Sequence, residues 1–454
     1  MDRPLEGVRV LEVAQFTFVP SAGAVLADWG AEVIKIENPV TGDAQRGLVA
    51  VLGRAASVPG SSFAPIMEAP NRGKRSIGLG LAVAEARPVL EELIRRSDVF
   101  LTNYLPTARA KLHIDVEEVR RINPDIIYVA GSGFGTQGQD RDTGAYDATA
   151  FWARGGSAAG VTPSDAEQAS FMPAGAYGDN IGGLAIAGGV AAALYGRRVT
   201  GQPSVLDVSL LAVGAWATQF SVNMALLAGG PLPKIDSKTQ APCNPLTGSY
   251  RTSDGRFIQL SMLQSTRYWP EFCRLMGCDE YADDPRFESL ESLAEHLEAA
   301  LEIVHDAIGS RTLAQCARLL NSGTGPWAPV QDGWDVGNDE SLIANGRIAD
   351  VVDRHIAAQR RVLFDELENF AESRNATGRE RLDRPGRDCI HPNAAAAQAV
   401  GQVSHARFEA GLGETHGVVV RNHPLGAKIS QRDQRRARTQ HRQRRLGEGG
   451  KAVG

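Results

Sequence analysis

Three consecutive segments near the start of the chain decide the fold class: Val8-Arg9-Val10-Leu11-Glu12-Val13, the small apolar stretch 20–28, and Ala31-Glu32-Val33-Ile34-Lys35-Ile36. The first and third are rich in valine and isoleucine, as buried strands are, and the middle one predicts a helix. Further predicted strands at 76–79, 98–101 and 125–129 alternate with predicted helices at 82–96 and 116–122. This alternation predicts an α/β protein with a parallel, doubly wound sheet, whose ligands bind at the carboxyl ends of the strands.

The loop after the first predicted strand carries no dinucleotide fingerprint. It contains Gln15-Phe16-Thr17-Phe18-Val19-Pro20 and lacks the Gly-x-Gly-x-x-Gly spacing that lets a backbone approach a pyrophosphate. The sequence therefore argues against a nicotinamide or flavin dinucleotide at this position.

Composition excludes several further classes of protein. The chain has 454 residues, 43% of them hydrophobic and 22% charged, with a formal net charge of -5, which predicts a globular protein without a nucleic-acid or membrane partner. Its five cysteines form no Cys-x-x-Cys pair, so neither a disulfide scaffold nor a metal site is expected. The amino terminus does not resemble a signal peptide, and the apolar run 182–194 is too short and too rich in glycine to span a bilayer. A cytoplasmic location is expected.

Two other regions of the chain have a composition of their own. A predicted hairpin around Asp254-Gly255, followed by predicted helices at 269–275, 290–308 and 313–320, suggests a smaller α/β domain over 225–328. Residues 355–454 form an atypical, largely polar region, and 431–445 carry seven arginines and four glutamines. We expect disorder at 431–454, because so polar a segment buries little apolar surface.

A glycine-rich stretch contains one carboxylate that is a candidate for chemistry. Gly175-Ala176-Tyr177-Gly178-Asp179-Asn180 precedes a predicted small-residue helix at 185–195. Asp179 is either an N-cap, which needs no further role, or a nucleophile that the helix dipole keeps ionised. The five glycines between Gly178 and Gly189 weaken a helix and imply that a packed neighbour or a ligand approaches closely. Only three histidines precede residue 355, which disfavours a Ser-His-Asp device.

Three cations lie close together just before a predicted strand, in Asn71-Arg72-Gly73-Lys74-Arg75-Ser76. Such a cluster is either a solvated turn or a clamp for phosphate groups.

The order and spacing of these motifs over residues 4–354 resemble those of the class III coenzyme A transferases, a family that includes the alpha-methylacyl-CoA racemases. The stretches that carry the resemblance are Pro4-Leu5-Glu6-Gly7-Val8-Arg9-Val10-Leu11-Glu12, Leu26-Ala27-Asp28-Trp29-Gly30-Ala31-Glu32-Val33-Ile34-Lys35-Ile36-Glu37, Gly42-Asp43 with Arg46, the turn from Asn71, Ile122-Asn123-Pro124, Gly131-Ser132-Gly133-Phe134-Gly135, Gly178-Asp179, and Thr200-Gly201-Gln202 before Val205-Leu206-Asp207-Val208-Ser209.

The resemblance implies an enzyme that moves coenzyme A from an acyl-CoA donor to a carboxylic acid acceptor, with Asp179 as the covalent nucleophile. Coenzyme A is then a substrate, and no prosthetic group is needed. By the same resemblance, the residues that hold coenzyme A are Thr17, Asn38, Asn71, Arg72, Lys74, Arg75, Asn103, Lys111 and Tyr146. Tyr146 stands where the racemase branch has a histidine, which favours transfer over racemisation.

The resemblance also implies an interlocked homodimer. Each subunit would have a large Rossmann-like domain over 1–215, completed by part of 330–430, and the small domain. Two alternatives remain open, an acyl-CoA racemase or isomerase and a non-catalytic protein that binds coenzyme A. The acyl group and the acceptor are not identified, although Phe16, Phe18, Phe151 and Trp152 are candidates to line a bulky pocket or simply to fill the core.

Overall fold

The computed structural model of the protein describes residues 3–51, 53–56, 64–237, 243–353 and 358–363. Its strands are β1 (Arg9–Val13), β2 (Glu32–Glu37), β3 (Ala50–Val51), β4 (Arg54–Ala55), β5 (Arg75–Gly78), β6 (Val99–Thr102), β7 (Ile127–Ser132), β8 (Val205–Ser209), β9 (Ser249–Arg251), β10 (Phe257–Leu260), β11 (Trp327–Pro329), β12 (Ile348–Asp353) and β13 (Ala358–Leu363). Its α-helices are α1 (Phe18–Asp28), α2 (Pro65–Asn71), α3 (Arg87–Arg95), α4 (Pro106–Leu112), α5 (Val116–Ile122), α6 (Ser157–Val161), α7 (Tyr177–Thr200), α8 (Leu210–Ala217), α9 (Gln219–Ala228), α10 (Ser265–Met276), α11 (Leu290–Glu295), α12 (Leu297–Gly309), α13 (Leu313–Leu320), α14 (Gly333–Gly337) and α15 (Glu340–Ala344). Short 3₁₀ or π turns occur at Ala44–Gly47, Ala84–Ala86, Ala148–Ala153, Asp279–Tyr281 and Pro285–Phe287.

A six-stranded parallel sheet organises the first part of the chain. Its order is β5-β2-β1-β6-β7-β8, and every neighbouring pair is parallel. The chain therefore starts in the middle of the sheet, builds one half outward from β1, and then returns to build the other half from β6. The predicted α/β class and doubly wound parallel sheet are confirmed, and the switch point where ligands bind lies between β1 and β6.

The predicted elements are confirmed with small shifts at their ends. Helix α5 has the predicted bounds, because the Asp115 side chain caps its first turn by accepting from the Glu118 N–H, and Asn123-Pro124 follow its last residue. The helix predicted over 82–96 begins later, at Arg87, and a 3₁₀ turn precedes it. Pro88 occupies the first turn of α3, where its missing N–H costs nothing.

Helix α7 is longer than the prediction of 185–195, and this corrects two expectations. It begins at Tyr177, eight residues before the predicted start, and continues to Thr200, five residues beyond the predicted end. Asp179 lies in the first turn of this helix and is not its N-cap; the N-cap is Ala176, in the left-handed conformation with φ 61°.

The glycines of α7 allow neighbouring elements to pack closely against its first turns. A Cβ at Gly178 would lie 2.5 Å from Cγ of Phe151, and one at Gly182 would lie 2.4 Å from Cε2 of Phe18. At Gly183 it would lie 2.5 Å from Cβ of Ser21, in α1. Packed neighbours therefore account for these three glycines, and burial against them stabilises a helix that propensity alone disfavours.

A second sheet and a second core lie further along the chain. The predicted hairpin is confirmed as β9 and β10, which pair antiparallel, and β11 pairs with the other edge of β10. The helix predicted over 290–308 is two helices, α11 and α12, with a break at His296. Buried side chains between Leu246 and Leu320 form a core around Trp269. The division into domains stays a prediction, and of the region 355–454 only 358–363 lies within the described residues, as the second strand of the β12–β13 hairpin.

Among the described residues, no single helix is long and apolar enough to cross a bilayer. Helices α8 and α9 meet that test only as a pair, and they are bent by 75° relative to each other.

Candidate active site

A small cavity lies at the carboxyl edge of the main sheet, next to the switch point. Its volume is about 40 Å³, which corresponds to about three water molecules. The loops that follow β1, β6 and β7 contribute to its wall, together with the segment before the π turn and the first residues of α7 and α8. The lining residues are Phe16, Phe18, Asn103, Gly131, Ser132, Gly133, Ala145, Tyr146, Asp179 and Leu210.

Hydrogen bonds hold the loop after β1 in one conformation. The Asn103 side chain accepts from the Gln15 N–H at 3.0 Å and donates to the Gln15 carbonyl at 2.7 Å, so it joins the two strand ends at the switch point. The next residue, Phe16, has φ 62°, a conformation that is strained for a side chain of this size. The Asp43 carboxylate holds it there by accepting from the Phe16 N–H at 3.0 Å. The Phe16 ring meets Tyr146 edge to face, with 5.4 Å between the ring centroids.

Asp179 reaches this cavity from the first turn of α7 and is itself 9% exposed. Burial raises the pKa of Asp179 well above its ordinary value, and the nearby negative charge of Asp147 raises it further. Desolvation and like charge therefore oppose the effect of the helix dipole that the sequence analysis expected to favour the ionised form. When it does lose its proton, a carboxylate with a raised pKa is the stronger nucleophile.

Asp147 is a member of the site that the sequence analysis did not single out. Its Oδ2 accepts from the Gly178 N–H at 3.2 Å, and its Oδ1 accepts from its neighbour Ala148 at 2.8 Å. The backbone amide of Asp179 also lowers the pKa of Asp147. Burial raises the pKa of Asp147 while these amides favour its charged form. Asp147 thus satisfies the free N–H groups at the start of α7 from a distant part of the chain and brings a second carboxyl close to Asp179.

A buried network of charges supports the floor of the site. Lys35 Nζ lies 2.6 Å from Asp43 Oδ2 and 3.7 Å from Glu12 Oε1, and Lys74 Nζ lies 2.6 Å from Glu12 Oε2. Burial raises the pKa of Glu12 and lowers the pKa of Lys74 to about 8. For Lys35, burial is outweighed by the facing carboxylates, which raise its pKa. The network fixes Asp43, and through Asp43 it fixes the backbone of Phe16.

The basic turn at 71–75 is therefore largely engaged within the protein. Lys74 is buried, and its ammonium also donates to the Pro20 carbonyl at 2.7 Å. Arg72 donates through Nε to Asp28 Oδ2 at 2.9 Å, and the Asn71 side chain accepts from Lys35 at 2.9 Å. The Arg75 side chain is 74% exposed and pairs with the partly exposed Glu32. Phosphate binding by this turn stays a prediction, and Arg75 is the cation that it presents to solvent.

The remaining predicted contacts to coenzyme A are spread around the same edge of the sheet. Asn103 and Tyr146 line the cavity with Asp179, and Tyr146 is 48% exposed. Thr17 is buried and donates to the Gln45 side chain at 3.0 Å. Asn38 is exposed, and its side chain accepts from the Val40 and Thr41 amides in a tight turn after β2. Lys111 is exposed in the last turn of α4.

The four aromatic candidates have different places. Phe16 and Phe18 line the cavity. Phe151 is buried in the core, where Gly178 packs against its ring. Trp152 is half-buried and donates its indole N–H to the Ser170 carbonyl at 2.9 Å. Within the part of the chain that the structure describes, no cluster of three or more His, Cys, Asp or Glu side chains is arranged to hold a metal ion.

Known proteins with the same sequence pattern share this fold. The family model described as CoA-transferase family III matches residues 5–385. The (R)-2-hydroxy-4-methylpentanoate CoA-transferase of Clostridioides difficile is 31% identical over 342 residues, 75% of this chain and 83% of that protein. The cinnamoyl-CoA:phenyllactate CoA-transferase of Clostridium sporogenes is 29% identical over 340 residues, 75% of this chain and 81% of that protein.

Solved structures agree with these relatives. A CAIB/BAIF family protein from Brucella suis aligns with a TM-score of 0.66 at 25% identity, covering 82% of this chain and 99% of that one. Rv3272 from Mycobacterium tuberculosis aligns with a TM-score of 0.66 at 26% identity, covering 80% and 92%. Sequence and fold thus agree, and the chain belongs to CoA-transferase family III.

Proposed function

We propose that this enzyme moves coenzyme A from an acyl-CoA donor to a carboxylic acid through a covalent intermediate on Asp179. The observation that supports this proposal is the position of Asp179, the one carboxylate among the described residues that line the cavity at the carboxyl edge of the sheet. Asp179 places a carboxyl oxygen at the cavity as the nucleophile, and a volume of about 40 Å³ leaves little room for water that could hydrolyse an activated acyl group.

The reaction would proceed by four exchanges at carbonyl carbon. An oxygen of Asp179 attacks the thioester carbonyl, and the C–S bond breaks. Coenzyme A departs as its thiolate, and an acyl-aspartyl anhydride remains on the enzyme. The thiolate then attacks the aspartyl carbonyl and releases the donor acid as its carboxylate. The acceptor carboxylate attacks the resulting aspartyl thioester, and the freed thiolate attacks the acceptor's carbonyl, so that the new acyl-CoA forms and Asp179 is regenerated. Each intermediate keeps the acyl or aspartyl group activated, so no external energy source is needed.

The environment of Asp179 suits this role. Its raised pKa makes the ionised oxygen a strong nucleophile toward a thioester. We assign Asn103 and Tyr146 to the acyl end of the substrate because they share the cavity with Asp179. Outside the cavity, we assign contact with the coenzyme A moiety to the exposed residues Asn38, Arg75 and Lys111, with Arg75 and Lys111 as its cations. Thr17, Asn71, Arg72 and Lys74 are bonded within the protein, and we assign to them the support of this surface.

We also propose that the active form is a homodimer. Helices α8 and α9 expose large apolar side chains that an isolated subunit leaves in water: Trp216 at 54%, Phe220 at 77% and Leu227 at 83%. An apolar surface of this kind is typical of a protein interface. Light scattering at micromolar concentration should give twice the chain mass, and Phe220→Asp should shift the population toward the monomer.

The test of the catalytic proposal compares two aspartates. Asp179→Ala should abolish transfer from an acyl-CoA to an isotopically labelled acid, whereas Asp165→Ala, at an exposed aspartate that bonds Ser237, should retain it. An Asp179→Ala variant that transfers at the parental rate would refute the proposal. Deuterium uptake at the alpha carbon of a 2-methylacyl-CoA, with no acceptor acid present and no transfer when one is added, would instead support an isomerase. If the protein binds coenzyme A but catalyses neither reaction, the result would support a non-catalytic protein that binds coenzyme A.

A further inference from the structure

The cavity beside Asp179 is lined by apolar side chains and by a few polar ones, and none of the described residues in its lining carries a positive charge. Phe16, Phe18 and Leu210 supply side chains to it, and Tyr146 closes one side. Among the described residues that line it, none is a lysine, an arginine or a histidine. A substrate group in this cavity therefore meets apolar surface and the carboxylate that attacks it.

The polar side chains around the cavity offer an anion hydrogen bonds from neutral groups at most, such as the hydroxyls of Ser132 and Tyr146, and no opposite charge. Both polar ends of the Asn103 side chain bond the Gln15 backbone, and the Ser132 hydroxyl accepts from the Gly135 N–H at 3.1 Å. The Asp147 carboxylate accepts from the Gly178 N–H at 3.2 Å, next to Asp179 in the chain, and adds negative charge close to the Asp179 carboxyl. A second carboxylate on the substrate would be repelled here, and burial would leave it without a counter-ion.

The nearest buried cations cannot supply that counter-ion cheaply. Lys35 is held by Asp43 at 2.6 Å and Lys74 by Glu12 at 2.6 Å, each with its side chain 2% exposed. Moving either ammonium toward the cavity would leave a buried carboxylate unpaired.

The aromatic wall is rigid on one side and adjustable on the other. Phe16 is fixed by the bond from its backbone N–H to Asp43, which holds the left-handed conformation. Tyr146 lies against it edge to face but is half-exposed, so its ring has room to turn outward and enlarge the mouth of the cavity. An uncharged hydrocarbon group bound against this wall is stabilised by the burial of its apolar surface and needs no counter-ion.

We infer that the acids this enzyme activates are monocarboxylates with an uncharged, apolar body, and that Phe16 and Tyr146 determine this selectivity against dicarboxylates. The inference rests on the proposed function, since it assigns the acyl group to the cavity that contains Asp179. It narrows the substrates to aliphatic or aryl-substituted acids and excludes short diacids.

The test uses two acids of equal chain length, hexanoate and adipate, which differ by one terminal carboxylate. Each labelled acid is exchanged with its own thioester, hexanoyl-CoA or adipoyl-CoA monothioester, so that donor and acceptor are matched. We expect kcat/KM for hexanoate exchange to exceed that for adipate by about 100-fold, a difference of about 2.7 kcal/mol in transition-state binding. Equal rates, or faster adipate exchange, would overturn the inference while supporting the proposed function. Absence of exchange with both pairs, and with acetyl, 3-phenylpropanoyl and succinyl thioesters, would overturn the proposed function and the inference together.

A pair of variants tests the residue assignment. Tyr146→Arg places a cation at the mouth of the cavity and should raise the adipate-to-hexanoate ratio of kcat/KM at least about tenfold, or about 1.4 kcal/mol. Tyr195→Arg is the matched control, because Tyr195 is 69% exposed in α7 and outside the cavity lining; its ratio should equal that of the parent. A Tyr146→Arg enzyme with the parental ratio would overturn the role of Tyr146.

Discussion

Gly183 lies where α7 packs against α1, one turn after Asp179, and its replacement by alanine tests whether this contact positions the nucleophile. A Cβ at Gly183 would lie 2.5 Å from Cβ of Ser21 and 3.0 Å from both the Ala22 nitrogen and the Phe18 carbonyl oxygen. Two of these three atoms belong to the backbone of α1, so a change of side-chain rotamer cannot relieve the overlap. Restoring an ordinary contact of about 3.4 Å requires the helices to separate by roughly 0.9 Å at this point.

The expected cost combines two opposing effects. Overpacking of this kind destabilises by about 1–3 kcal/mol, and the better helix propensity of alanine returns up to about 1 kcal/mol. Gly183→Ala should therefore lower the free energy of unfolding by about 1–2 kcal/mol. Because a misplacement of about 1 Å in an active site can reduce rates by about 100-fold, transfer should fall by one to two orders of magnitude.

Gly188→Ala is the matched control in the same helix. Gly188 is exposed, and a Cβ there would meet no atom within 4 Å. In this variant the free energy of unfolding should rise by roughly 0.5–1 kcal/mol, and kcat/KM should stay at the parental value. Urea unfolding and the initial rate of CoA transfer are measured on both proteins. If Gly183→Ala proves as stable and as active as Gly188→Ala, the close contact between α1 and α7 does not position Asp179.

Four further substitutions test the electrostatics of the site. Asp147→Asn removes the negative charge that raises the pKa of Asp179, so the acid limb of the pH profile of kcat/KM should move to lower pH; an unmoved limb would contradict the coupling. Because the folded-state pKa of Asp179 is raised, the parent loses stability as pH rises from the unfolded value of about 3.9 through the folded one. Asp179→Asn should therefore raise the free energy of unfolding by about 1–3 kcal/mol at pH 8 and change it little at pH 4, and equal effects at the two pH values would argue against this explanation. Lys74→Ala leaves the buried Glu12 with a weaker counter-ion and should lower the free energy of unfolding, measured in urea, by about 3–5 kcal/mol. Arg75→Ala removes an exposed ion pair and should lower the free energy of unfolding by less than about 1 kcal/mol. Similar losses of stability in Lys74→Ala and Arg75→Ala would contradict the greater importance of the buried pair.

The main sheet could be predicted because its strands are short apolar runs separated by helical segments. Residues 127–132 are buried on both faces of the sheet, and such strands are readily recognised from composition. Because ligands of parallel sheets bind at the carboxyl ends of the strands, the predicted sheet also predicted a site at that edge, where the structure has Asn103 and Asp179. The start of α7 was missed because its glycines signal weak helix propensity, whereas packing against α1 and Phe151 stabilises the helix.

Long-range contacts limited the prediction of the site. Asp147 lies 31 residues from Gly178, and only the tertiary structure brings its carboxylate to that amide. The burial of Lys74 could not be predicted from its basic turn, because its partner, Glu12, belongs to a distant strand. One signal was available: a glutamate within the apolar run of β1 must be paired if it is buried, and a nearby lysine is its natural partner.

The most direct test of the central claim is to trap the covalent intermediate. The enzyme is mixed with an acyl-CoA and its acceptor acid, quenched with borohydride or hydroxylamine, digested, and analysed by mass spectrometry. The account predicts modification of the peptide that contains Asp179, dependent on acyl-CoA and absent from Asp179→Asn. Full transfer activity with Asp179 unmodified, or with the label on another residue, would contradict it.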